Sequence, residues 1–344
     1  MDRLMAYGAV STSLSLRGDR EVGELLDQAT PLGSGIGGRS SLLEIEGTRV
    51  FVKRVPLTER ELLPENVRST ANVFGLPAFM QYGIGTVCSP GFGCWRELAT
   101  HVMTTDWVLS GQYPGFPLMY HWRVLPESAP ALPEELADVD AVVAYWGGGQ
   151  EMRERIEALR RSPASLVLFL EHFPHTLHEW LEARLRAGEE AANRACELVE
   201  RELEAGVSFM NAHGLLHFDT HFKNILTDGR RLYFADFGLS TSSRFELSAE
   251  QAEFFDRHRT YDRTYTRTYL VNWLAYDLYP GADRHALIDA WAEGEPPTGV
   301  PRAAAAILAR HSPLAALIGA FQRRFQNESR RTPYPLEELE GLPC

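Results

Sequence analysis

Residues 214–238, GLLHFDTHFKNILTDGRRLYFADFG, constrain this chain more than any other stretch. Two short apolar runs, NIL and RLYFA, flank the turn TDGR, and that pattern closes a hairpin. Such a hairpin returns Asp236, at the end of the second run, to the side of Asn224, at the start of the first. A carboxylate and an amide oxygen placed together can share a divalent cation, and hard oxygen donors suit Mg²⁺. Asp219 stands five positions before Asn224, between a helix end and the first run, where a carboxylate can take the proton of an attacking hydroxyl. Gly238 lets the backbone turn sharply behind Asp236.

At 344 residues and 44% hydrophobic, the chain can bury a sizeable core as one large domain or two lobes. Its 34 basic and 46 acidic residues leave a formal charge of −12, which argues against a general nucleic-acid or anionic-membrane binder. Cys88, Cys94, Cys196 and Cys344 lack the spacing of a zinc site and read as reduced thiols. The first twenty residues have no continuous apolar core, and no run reaches the roughly 18 apolar residues of a membrane helix. The expectation is a cytoplasmic protein without a membrane or nucleic-acid partner. Cys344, as the last residue, is no prenylation signal.

Upstream, GSGIGGRSSLLEIEGTRVFVKRV reads as a glycine cluster followed by a hairpin turning at Gly47. Residues 56–93 break into prolines and glycines, an irregular insertion with one short helix. CWRELATHVMTTDWVLS then carries Leu98, Val102, Thr105 and Leu109 at helical spacing. FPLMYHWRVL reads as a strand, residues 126–163 as a second insertion ending in a charged helix, and SLVLFLEH as a buried strand. Thr176 starts a helix that stops before Gly188, and 189–212 puts Ala195, Leu198, Val199, Leu203, Val207 and Met210 on one stripe. Beyond Gly238 the pattern is helical. Strands first and helices later predict an α+β chain, a small sheet-rich lobe joined to a larger helical one.

His217-Phe218-Asp219 with Asn224, followed by Asp236-Phe237-Gly238, resembles the catalytic and metal loops of the protein kinase-like superfamily. The resemblance covers roughly residues 28–240. It implies a bilobal kinase-like fold: an antiparallel-sheet N-lobe over 1–171, with the insertions at 56–93 and 126–163, and a helical C-lobe over 172–344. It further implies ATP and Mg²⁺ between the lobes. Gly33, Ser34, Gly35 and Gly38 would cover the phosphates, and Lys53 would bind them, paired with Glu97, for which Glu61 and Glu65 are rivals. The backbone near Glu171 and Phe173 would meet adenine. Asn224 and Asp236 would hold the metal, Asp219 would orient the acceptor hydroxyl, and Lys223 would reach the transferred phosphate.

The departures bear on the acceptor. Phe218 replaces the arginine that in the family clamps a phosphate on the activation loop, which implies activity without that phosphate. Phe51 stands where the family keeps a small residue beneath adenine. His221 resembles the D-x-H-x-x-N loop of aminoglycoside and choline kinase-like enzymes, and no A-P-E motif follows Gly238. The glycine loop and D-F-G favour Ser/Thr of a protein as acceptor; His221 and the missing A-P-E favour a small-molecule hydroxyl. A non-catalytic nucleotide-binding scaffold is the remaining alternative. The Thr- and Tyr-rich RTYDRTYTRTY suggests a phosphosite cluster, or an amphipathic helix face.

Overall fold

The computed structural model describes residues 3–35, 37–85, 87, 89–127 and 131–342. Cys88 and Cys344 lie outside them, while Cys94 and Cys196 are buried free thiols. The fold is α+β and divides into two compact units: Met1–His172 with Asp236–Ser240 and Arg244–Gln251, and Phe173–Ala235 with Thr241–Ser243 and Ala252–Cys344.

The first unit is built on an antiparallel five-stranded sheet in the order β1-β2-β3-β5-β4. Its strands are β1 (Thr30–Gly35), β2 (Gly38–Ile45), β3 (Thr48–Leu57), β4 (Met119–Pro126) and β5 (Ala164–Glu171). The β2–β3 hairpin turns at Glu46–Gly47, both at positive φ, as the sequence predicts. Alternation along β3 puts Phe51, Lys53, Val55 and Leu57 on one face. Val55 and Leu57 there join Cys94, Trp95, Leu98, Leu166 and Leu168 in the core beneath the helix Cys94–Leu109, with Phe51 packed against them. β5, the buried strand predicted from SLVLFLEH, lies inside the sheet between β3 and β4 and is buried over seven consecutive residues.

Two expectations need correcting. Of the predicted stripe on Cys94–Leu109, Leu98 and Thr105 are buried, but Val102 and Leu109 are 44% and 37% exposed, so the stripe marks only part of the buried face. Arg96, Glu97, Thr100, His101 and Thr104 are buried alongside them, since polar partners as well as apolar spacing decide which side of that helix faces inward. The amino-terminal stretch, read only as lacking an apolar core, forms the helices Arg3–Ser15 and Asp19–Asp27. The first buries Ala6, Val10 and Leu14 at four-residue spacing. The segments expected as insertions carry short elements: Glu59–Leu62 and a 3₁₀ turn Ala78–Gln81 within 56–93, and Glu134–Ala137, Val139–Tyr145 and Gln150–Arg160 within 126–163.

The second unit is mainly helical. Thr176 caps Leu177–Arg186 in a reciprocal box with Glu179. Glu189–Ala212 buries the predicted stripe, with Leu198 at its margin. It packs with Tyr261–Leu278 and Arg302–Asn327, and Arg284–Ala292 joins the latter two. Arg302–Asn327 is long and apolar enough to cross a membrane, by length and composition only. Its Ile307, Leu308, Ile318 and Phe325 are nonetheless buried in this unit. Short strands frame the loops of interest: β6 (His175–Thr176), β7 (Leu215–Leu216), β8 (Ile225–Thr227), β9 (Leu232–Phe234) and β10 (Thr241–Ser242). β8 pairs with β6 and β9, and β7 with β10.

Candidate functional site

The β8–β9 hairpin follows from its turn. Asp228 accepts the N–H groups of Arg230 and Arg231, which tightens TDGR and sets Ile225 opposite Phe234. The register extends one pair further, where the Asn224 carbonyl accepts the Ala235 N–H at 2.9 Å. Asp236 follows in the chain and takes a positive φ of 61°, a strained position that short polar side chains tolerate better than most.

In the loop ahead of the hairpin, the Asn224 amide donates from Nδ2 to the Asp219 carbonyl at 3.0 Å and carboxylate at 2.9 Å. That fixes the amide's orientation and points its oxygen away from Asp219. His221 Nε2 lies 3.8 Å from the Asp219 carboxylate, and Lys223 is exposed. Tyr269 flanks the loop: its ring lies 4.8 Å from that of Phe222, and burial, followed by the Asp219 charge, raises its phenol pKa.

One residue holding this loop has no sequence signal. Asp262, 1% exposed, accepts the N–H groups of His217 at 2.7 Å and Phe218 at 2.9 Å. Burial pushes its carboxyl up to about 6, against the pull of those two donors. They stabilise Phe218 at a φ of 64°, which a bulky residue rarely adopts. Its ring is fully buried, stacked on Tyr261 and Phe254 at 4.6 and 5.7 Å. Asp262 is one acid in RTYDRTYTRTY, and nothing local marks it as the loop's anchor. Tyr261, Thr264, Tyr265, Thr266 and Thr268 from the same run are buried in the helix, which leaves the phosphosite reading no accessible hydroxyl among them.

In the first unit, Lys53 lies on a central strand and is 7% exposed, so it is no solvated edge lysine. Its ammonium donates to Glu97 at 2.7 Å and Asp236 at 2.8 Å. Burial draws its pKa down, but the charges of Asp236 and Glu97 more than reverse that, and Lys53 stays protonated beyond the ordinary lysine range. The rival acids are placed elsewhere. Glu65 is exposed. Glu61 is buried against Arg155 at 3.0 Å and accepts the N–H of Cys94, also at 3.0 Å. It thereby supplies the acceptor that Gly93, the N-cap of the Cys94–Leu109 helix, lacks. A residue of the 56–93 segment thus caps the helix that carries Glu97.

The glycine turn joins β1 to β2. At Gly33 and Gly35 an added Cβ would meet nothing within 4 Å, and Ser34 is exposed. The steric demand sits next door. Gly38 has a φ of +116°, and a Cβ there would lie 2.1 Å from the Arg54 carbonyl; at Gly37 it would lie 3.1 Å from Lys53 Nζ. The turn approaches the lysine through Gly37, a residue the G-x-G-x-x-G reading passes over.

The Glu171 N–H already donates to the Leu118 carbonyl, and its carboxylate is gripped by Arg3 at 2.6 and 2.8 Å. The Glu171 N–H expected to meet adenine is therefore already engaged within the protein. Phe173, in the second unit, stacks on Tyr233 at 3.9 Å.

Each unit carries a donor type that suits a hard cation: in the first the Asp236 carboxylate, whose side chain is 42% exposed, and in the second the Asn224 amide oxygen, which the Asp219 bonds leave to other partners. Among the described residues no group of three or more His, Cys, Asp or Glu could hold a metal by itself. A cation held by either donor would take the rest of its shell from other oxygens. No protein-family model matches the chain, and no curated protein matches it significantly.

Proposed function

We propose that the protein is an ATP-dependent phosphotransferase with a kinase-like bilobal fold. The observation that carries this reading is the buried Lys53, bonded to Glu97 and Asp236 beneath a glycine turn whose Gly37 admits no side chain without crowding its ammonium. A buried cation gripped by two acids, with a glycine turn over it, suits the phosphates of a nucleotide.

Lys53 would neutralise phosphate charge, with Glu97 fixing its side chain. Asp219, aligned by its bonds from Asn224, would orient an acceptor hydroxyl for in-line attack and take its proton. Lys223 would meet the transferred group. Mg²⁺, held by Asp236 and Asn224, would supply further neutralisation when bound. The acceptor proposed first is a protein Ser/Thr hydroxyl. A small-molecule hydroxyl is the second reading, favoured by His221 beside Asp219.

The test is incubation of the protein with γ-labelled ATP, Mg²⁺ and cell extract, with the label sorted between protein and small-molecule fractions. Label is expected in one fraction and to fall by at least about a hundredfold in Asp219→Ala. Transfer undiminished in that variant removes Asp219 from the chemistry. Nucleotide binding without transfer to any fraction favours the scaffold.

A further inference from the structure

The segment that follows Asp236 reaches the helix Ala249–Arg257 after only a dozen residues, and its parts in the first unit are tied down along their length. The Gln81 amide donates to the Leu239 carbonyl, and the Thr100 and Ser240 hydroxyls bond at 2.8 Å. Thr70 Oγ1 accepts the Glu246 N–H at 2.9 Å, and Ser69 bonds the Glu246 carboxylate. These partners come from the 64–93 region and from the helix that carries Glu97.

Arg96, next to Glu97, stands at the centre of these ties and is 2% exposed. Its Nε donates to the Thr70 carbonyl at 2.7 Å and its Nη2 to Gln251 Oε1 at 3.2 Å. The guanidinium lies over the rings of Phe92 and Phe245 at 5.1 and 5.8 Å. No described carboxylate is within ion-pair reach, and Nη1 has no hydrogen-bond partner; burial lowers the pKa to about 10. Burying a cation among neutral acceptors and aromatic faces is costly, and its hydrogen bonds and ring contacts are what offset that cost. What Arg96 joins is the insertion, through Thr70 and Phe92, and the segment after Asp236, through Phe245 and Gln251.

We propose that Arg96 is a positioning residue: it clamps residues 244–251 to the insertion and so fixes the segment that begins at Asp236, with no phosphate on that segment. Phe218 complements this. Where the resembled family has a phosphate-binding arginine, this chain has a buried aromatic ring. The clamp's consequence for turnover rests on the phosphotransfer reading; its consequence for the segment does not.

The experiment compares wild type, Arg96→Met and the milder Gln251→Ala by amide hydrogen exchange without nucleotide, and by steady-state ATP turnover before and after phosphatase treatment. In R96M, exchange over residues 237–247 should rise by about tenfold while β1–β5 stay protected. The kcat should fall on the order of tenfold with KM for ATP changed by less than about twofold, since Lys53 is untouched. Q251A should move both readouts the same way by less, and it decides the matter if R96M does not fold. Phosphatase should leave wild-type turnover unchanged. Unchanged exchange in the folded variants overturns the clamp. Loss of wild-type turnover on phosphatase treatment also overturns it, by making the buried guanidinium a phosphate receptor. A wild type with no turnover at all removes the phosphotransfer reading and leaves the exchange data to judge Arg96.

Discussion

Lys53 and Glu97 show what burial does to a charged pair. Their side chains are 9% and 3% exposed, so each would be expensive without the other. Lys53→Met leaves Glu97 buried and deprived of its cation, and should cost about 3 kcal/mol or more. Glu97→Gln keeps an oxygen for the ammonium and leaves Asp236 as a counter-charge, so it should cost less. In the double variant neither charge is stranded, and its cost should fall short of the sum of the singles by about 1–3 kcal/mol. Urea unfolding of the four proteins closes the cycle. Strict additivity would show that the two side chains do not act together.

At the scale of elements, the helix Tyr261–Leu278 and the turn before it hold the loop of Asp219 through buried groups of opposite pH response. Burial raises the Asp262 carboxyl to about 6 and lowers the His258 imidazole to about 4. A raised carboxyl means the folded chain holds that proton more tightly than the unfolded chain. Its contribution is full below the ordinary value of about 3.9 and is lost as pH rises through about 6. The depressed imidazole contributes fully above its ordinary value of about 6.5 and loses its contribution as pH falls through about 4. Each spans two units or slightly more, about 3 kcal/mol, so together they leave stability nearly flat over the shared window. His258→Phe should expose the Asp262 slope: relative to its parent, the variant gains about 3 kcal/mol between about pH 7 and about pH 4. Urea titrations across that range check it, and parallel pH profiles would show that the imidazole is not held neutral. This anchoring is where the sequence falls silent. The β8–β9 hairpin was legible because TDGR between two apolar runs is a local signal, and so was the β2–β3 hairpin at Gly47. Asp262 was not, because its meaning lies in two backbone N–H groups more than forty positions away. The helix carrying Glu97 was legible, but not its inward face, since Arg96 and His101 are buried by tertiary partners that no periodicity announces.

At the scale of the molecule, the candidate residues divide between the two compact units. Lys53, Glu97 and Asp236 belong to one, and Asp219, Lys223 and Asn224 to the other. The chain supplies this division by sending Asp236–Ser240 into the first unit directly after a hairpin that belongs to the second, so the order of residues in the motif does not match their order in the fold. Any ligand that binds only the folded protein raises its stability by mass action, about 2.7 kcal/mol at a hundred times Kd. For units of this size that corresponds to a rise in Tm of about 5–10 °C. Mg²⁺ with ATP should produce such a rise in scanning calorimetry. Because the proposed contacts draw on residues of both units, the melting of both should shift, and an upward shift confined to one would remove the other unit's residues from nucleotide binding. Lys53→Met should abolish most of the rise, whereas Asp236→Asn should retain part of it and lose its dependence on Mg²⁺. Metal dependence that survives in Asp236→Asn would take that carboxylate out of the cation's shell.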